Sequence, residues 1–235
     1  MTRIHVNSRD GIYALLNLEE ADRVGYVDFF WPETVDRWRT EGLPRTASLQ
    51  KYFGMDIYVM GVDVSPKFDT VVLREDVKWV ELRDSFGVRV RSWRGRSGTP
   101  LPVAPAVESL EDFIGFYEPL LDPELPFRIS SNRYPYGRDL EETVVRLQED
   151  FFVVVGVLGP FEYFRHIVGE GVDRVLRLFY RGARMLRYIF DKVGRLLAEV
   201  ARVMLDAGVD GVWDDLAYKN GPFISPRLYG EFVMP

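Results

Sequence analysis

The spacing of apolar and polar residues changes period several times along this chain. Residues 8–23, SRDGIYALLNLEEADR, predict a helix with Ser8 as its N-cap. Residues 24–31, VGYVDFFW, are aromatic and β-branched and predict a strand that stops at Pro32, which opens a second helix. ASLQKYFG (47–54) predicts a short helix, and MDIYVMGVDV (55–64) the next strand. FDTVVLRE, KWVELRD and GVRVRSW alternate apolar and polar residues, as about three antiparallel strands would. Residues 95–107 are rich in Gly and Pro and predict a loop. The helix of SLEDFIGFYEPLL comes next, and RDLEETVVRLQED feeds FFVVVGVLG, a continuous apolar run of the kind buried in a parallel sheet. In the segment from Arg181 to Gly208, Leu186, Ile189, Phe190, Val193, Leu196, Leu197, Val200 and Met204 fall on one helical face. Gly208 ends that helix, VDGVW begins a strand, and SPRLYGEF begins a helix.

A helix, a Gly cap, a short apolar strand, a polar loop and a new helix are the grammar of an α/β protein with a parallel sheet. In such folds ligands sit at the carboxyl ends of the strands. Asp214 and Asp215, directly after the strand 209–213, are therefore candidate site residues.

The chain has 235 residues, 47% of them hydrophobic, and a formal net charge of −6. The acidic balance argues against a nucleic-acid partner, which would favour a basic field. No cysteine is present, so the chain supplies neither a disulfide nor a thiolate metal ligand. The N-terminus has no apolar stretch of signal-peptide type, and the longest apolar run is far short of a membrane span. The expectation is a soluble, cytoplasmic protein without a membrane or nucleic-acid partner.

GVDGVWDDLAYKNGPFISPRLYGEFVMP resembles the uroporphyrinogen decarboxylase superfamily. There a Gly- and Asp-bearing strand is followed by an acidic loop and a Ser-Pro helix. VLGPFEYFRHIVGEG (157–171) is similar to that family's Gly-x-Pro segment, YFGMDIYV (52–59) to its Phe–Asp–Ile strand, and VDFFWPETVDRW (27–38) to its first barrel strand. The resemblance implies a (β/α)8 TIM barrel. Four barrel strands are expected, at 24–30, 55–61, 151–158 and 209–213. A single domain over 1–235, incomplete at its C-terminal end, would then carry an antiparallel β excursion. Such an open sheet implies a homodimer or a complementary half-barrel chain.

The resemblance also implies a function: decarboxylation of a tetrapyrrole, of porphyrin-biosynthesis type, by a lyase needing no cofactor. Asp56 matches the strand aspartate that stabilises positive charge on a pyrrole, and is the expected catalytic residue. Asp214 and Asp215 match the acidic loop, and His166 stands where the family has a substrate-binding Tyr. The alternative is a corrinoid methyltransferase using zinc, whose ligands would come from residues this chain lacks; WPE (31–33) is closer to that branch and makes Glu33 a substrate or metal contact. A third reading is an inactive fragment that binds a partner half. The decarboxylase's paired arginines after the first strand have no counterpart, the nearest being Arg37 and Arg39. On the residues alone, Asp56 is equally a turn residue, Glu33 a first-turn helix acid, and His166 a helix-surface side chain. Phe29, Phe30, Trp31 and Phe53 are either core or a stacking platform for a flat macrocycle.

Overall fold

A computed structural model of the protein describes residues 7–125, 139–169, 172–213, 217–218 and 221–234. They fall into two compact units. The first holds 7–62, 139–156 and 201–213, and the second 63–125, 157–200 and the segment after 213.

The first unit is built on three parallel strands, β1 (Ile57–Gly61), β6 (Phe152–Gly156) and β7 (Gly211–Trp213), in the order β1-β6-β7. Ile57 pairs with Phe152 and Val154 with Gly211. The central strand is β6, whose Phe152–Val155 are all buried, as its unbroken apolar sequence requires. Helix α1 (Ser8–Leu16) begins at Asn7, whose side chain accepts from the Asp10 amide; it sets Ile12 against Phe152 and Val154. Thus the cap is Asn7 rather than Ser8, and the helix ends at Leu16, well before residue 23. Helices α2 (Pro32–Thr40), α3 (Leu49–Tyr52, capped by Ser48) and α5 (Leu140–Gln148, capped by Asp139) complete this unit.

Segment 24–30 is not a strand, which corrects the expected count of four. It runs beside the start of β1 and shares only the Tyr26 carbonyl with it, accepting from the Asp56 amide at 2.8 Å and the Ile57 amide at 3.4 Å. Its aromatic residues serve packing instead: Phe30, Trp38 and Phe53 form a trio with ring centroids 4.9–5.2 Å apart. The parallel arrangement of the other three strands agrees with the expected barrel-type sheet.

The second unit contains the antiparallel excursion, as four strands: β2 (Val71–Glu75), β3 (Trp79–Arg83), β4 (Arg89–Trp93) and β5 (Leu101–Ala104), in sequential order. The strand β5 lies where a loop was expected. Its Pro102 is tolerated because β5 is an edge strand, paired on one side with β4. Glu81 on β3 is buried and takes Arg89 at 2.6 Å and Arg91 at 3.1 Å from β4, while the Arg91 guanidinium lies over the Trp79 ring. The hydrogen bonds from these two arginines, outweighing burial, hold the Glu81 carboxyl below its ordinary range.

After β5 come the short helix α4 (Leu110–Asp112, with a Ser109–Asp112 capping box), a π-helical turn at Phe113–Tyr117 and a 3-10 turn at Glu118–Leu121. The remaining helices of this unit are α6 (Pro160–Ile167) and α7 (Val172–Arg181). The long α8 (Ala183–Asp206) gives its residues up to 200 to this unit and its last turn and a half to the first. Beyond it lie the two-residue strands β8 (Ala217–Tyr218) and β9 (Gly221–Pro222), then α9 (Pro226–Phe232). An aromatic core joins Phe161, Phe179, Phe190, Phe223 and Phe232. No helix among the described residues is long and apolar enough to cross a membrane.

Candidate functional site

Because β1, β6 and β7 are parallel, their carboxyl ends share one edge of the sheet. In parallel α/β sheets that edge carries the chemistry, and the amino edge carries stability. The side of each candidate is therefore decided by which end of its strand it flanks.

Asp56 directly precedes β1 and so stands at the amino edge, not at the carboxyl edge where it was expected. It is 3% exposed and fully engaged. Its Oδ1 accepts from the Ser8 hydroxyl at 2.9 Å and from Arg23, and its Oδ2 accepts from the Tyr26 amide at 3.0 Å. A carboxylate so occupied fixes α1 and segment 23–26 under the sheet. Asp210, just before β7, does the same at the other flank. It takes Arg9 Nε at 2.7 Å, the Tyr13 hydroxyl at 2.9 Å and the Val153 amide at 2.8 Å.

Just past β1 in the chain stands an acid that sequence reasoning passed over. Asp63 follows the last residue of β1 by two positions. Its Oδ1 accepts from the Ser65 hydroxyl at 2.7 Å and the Ser65 amide at 2.9 Å, and its Oδ2 pairs with Lys67. Burial pushes the Asp63 carboxyl up, but the hydrogen bonds from Lys67 and Ser65 outweigh it and leave the group below the usual carboxylate range. The turn is anchored from below: Ser65 is buried, and the Tyr163 hydroxyl donates to the Val64 carbonyl at 3.2 Å. The signal for Asp63 was in the sequence. Two aspartates, 56 and 63, bracket one five-residue strand, and only the second can lie at its carboxyl end.

Asp214 and Asp215 follow β7 directly in the chain but lie outside the described residues. Trp213, the last residue of β7, is 37% exposed and leans on Phe29, which is 67% exposed, with ring centroids 5.9 Å apart. The suspected stacking platform thus divides. Phe30 and Phe53 pack inward with Trp38, while Phe29 and Trp31 present their rings to solvent.

His166 is in the last turn of α6. Its Nε2 lies 2.8 Å from Asp84 Oδ2, and its ring meets the Phe86 edge at 4.7 Å. Asp84 begins the β3–β4 turn and its Oδ1 accepts from the Phe86 and Val88 amides, with Gly87 at φ +82° completing the reversal. Glu33 is an exposed acid in the first turn of α2, where the helix dipole favours it.

Among the described residues no three His, Cys, Asp or Glu side chains gather as a metal would need. The family model described as Uroporphyrinogen decarboxylase (URO-D) matches residues 67–235. No curated protein matches the chain. The matched region starts at Lys67, so α1 to β1 and both Asp56 and Asp63 precede it.

Proposed function

The chain belongs to the uroporphyrinogen decarboxylase (URO-D) family, and from that premise we propose that it binds a carboxylated tetrapyrrole at the Asp63 turn and decarboxylates it. The observation that carries this reading is the position of Asp63, a charged acid two residues past the end of β1. A proton added to a pyrrole carbon makes the ring an electron sink. The bond from the side-chain methylene to its carboxylate then breaks, its electron pair neutralises the ring cation, CO2 leaves, and the exocyclic methylene so formed takes up a proton from solvent while the ring carbon gives back the one it gained, which leaves a methyl group. An anion fixed beside the ring stabilises the cation while it exists, and does so best when its own hydrogen bonds hold it ionised and in place.

Zinc-dependent methyl transfer stays the alternative expectation, but the described residues do not form a ligand set for zinc, and no step is assigned to it.

The test is CO2 release from uroporphyrinogen by the purified chain and two variants. Asp63→Asn should lower turnover by about a hundredfold or more while leaving the fold intact. Asp56→Asn should instead lower stability. A wild-type chain that binds the substrate and releases no CO2, or an Asp63→Asn variant with wild-type turnover, would sink the proposal.

A further inference from the structure

Lys67 has a backbone conformation that lysine does not adopt by preference. Its φ is +64°, one of two such values at non-glycine residues among those described. That left-handed conformation is a cost for any residue with a Cβ, and it persists only where the surroundings over-determine it. The surroundings here are the Asp63 turn. The Ser65 side chain receives the Lys67 amide at 3.4 Å, Ser65 is bound to Asp63, and the Tyr163 hydroxyl holds the Val64 carbonyl. The result is an ammonium folded back onto Asp63, two residues past the end of β1.

We propose that Lys67 is the residue that recognises a substrate carboxylate, exchanging its contact with Asp63 for one with the ligand. This rests on the tetrapyrrole reading above. Both side chains of the pair remain more than a third exposed, Lys67 at 36% and Asp63 at 40%, so an incoming anion reaches the ammonium without unfolding the turn. An ion pair with that exposure contributes little net stability, so exchanging it costs little. The exchange also does chemical work. With Lys67 turned to the substrate, Asp63 keeps the Ser65 hydroxyl and amide, and the cation that forms on the pyrrole takes the place of the ammonium as its counter-charge. Specificity for an acidic ligand and activation of the acid then come from one movement. The lysine also supplies a cation in a chain with no counterpart of the decarboxylase's paired arginines, the nearest to segment 24–30 being Arg37 and Arg39.

The experiment titrates the full chain with coproporphyrin III, a tetracarboxylate, and with its neutral tetra-amide, following tryptophan fluorescence. Lys67→Met should weaken the tetracarboxylate about tenfold and leave the tetra-amide unchanged. Lys67→Arg should retain the wild-type preference. Lys67→Gly, which suits a positive φ, should lose the preference as Lys67→Met does and so separates charge from strain. If Lys67→Met binds the tetracarboxylate like wild type, or loses both ligands equally, Lys67 does not read carboxylates and this inference falls alone. If the wild-type chain binds neither porphyrin, the tetrapyrrole reading falls and takes the inference with it.

Discussion

Arg9 and Asp210, 201 residues apart in sequence, are joined at 2.7 Å across the amino edge of the parallel sheet. The Asp210 side chain is fully buried and also receives the Tyr13 hydroxyl and the Val153 amide. Removing it leaves a buried amide without an acceptor and a cation without its partner, so the loss exceeds that of the pair alone. Asp210→Ala should lower stability by about 3 kcal/mol. Arg9→Met should cost only about 1 kcal/mol, because Arg9 is substantially exposed. Urea denaturation of the two variants measures the difference, and equal losses would contradict the asymmetry.

His166 and Asp84 tie the end of α6 to the β3–β4 turn, and the two residues should respond differently to substitution. His166→Leu removes one hydrogen bond and should cost about 1 kcal/mol. Asp84→Ala also strips the acceptor from the Phe86 and Val88 amides and should cost at least about 2 kcal/mol. Neither should change the affinity for coproporphyrin III. A loss of affinity in His166→Leu at unchanged stability would return His166 to the binding residues.

The elements easiest to read in the sequence are those whose burial is one-sided in chemistry. FFVVVG is apolar at every position and became the central strand β6; the helical spacing from Leu186 to Met204 became α8. Segment 24–30 has the same composition as a strand, yet composition does not say whether apolar side chains cover a ladder or a ring cluster. Phe30 went to Trp38 and Phe53, and the backbone was left with one shared carbonyl. The strand β5 was hidden by Pro102, which excludes a central strand but not an edge. For the site, the residue type was legible and its end of the strand was not. Asp56 and Asp63 differ by one strand length, and that places one under α1 and the other in the turn beyond β1. Lys67 left no signal, since residue type alone does not mark a positive φ at lysine.

Gly169 has φ +60°, and a Cβ there would lie 2.5 Å from Pro105 Cα, backbone that does not yield. The neighbouring Ala106 and Val107 amides are bonded to the Ile167 carbonyl, so the approach is fixed on both sides. Gly169→Ala should destabilise by about 3 kcal/mol, combining left-handed strain with overlap. Gly194, inside α8 with nothing within 4 Å of a built Cβ, is the contrast. Gly194→Ala should stabilise by about 0.5–1 kcal/mol. Thermal melts of both variants decide it.

Glu81 gives the second unit a definite acid limb. Its folded-state carboxyl is held below the ordinary 4.5 by hydrogen bonds from Arg89 and Arg91. A group depressed in the folded state stabilises above its unfolded pKa, and the contribution is lost as pH falls through the folded value. Stability should therefore decline below about pH 4.5, with Asp63 adding a loss of the same sign. In Glu81→Gln that decline should be shallower. A curve parallel to wild type in urea midpoints measured from about pH 5 to pH 3 would show that Glu81 is not the titrating group.

The outer edge of β7 carries the last prediction. β6 pairs with one side of β7, and among the described residues no strand pairs with the other. Val212 and Trp213 are both substantially exposed on this strand. An unpaired edge bearing apolar side chains is a template for another chain, and soluble proteins blunt such edges with charge. The β7 sequence, Gly-Val-Trp, contains none. The wild-type chain should therefore associate as its concentration rises. Val212→Lys, which places a charge on the edge without altering Trp213, should shift sedimentation toward the monomer while leaving far-UV circular dichroism unchanged. Helix α1 covers β6, and its Leu16 is exposed, so a charge placed there, Leu16→Lys, should leave association as in wild type. If wild type and Val212→Lys both sediment as monomers at every concentration, the edge is not an interface and the dimer expected from an open sheet is wrong. If both associate equally, another surface makes the contact, and the exposed strand β2, apolar from Val71 to Leu73, is the place to put the next lysine.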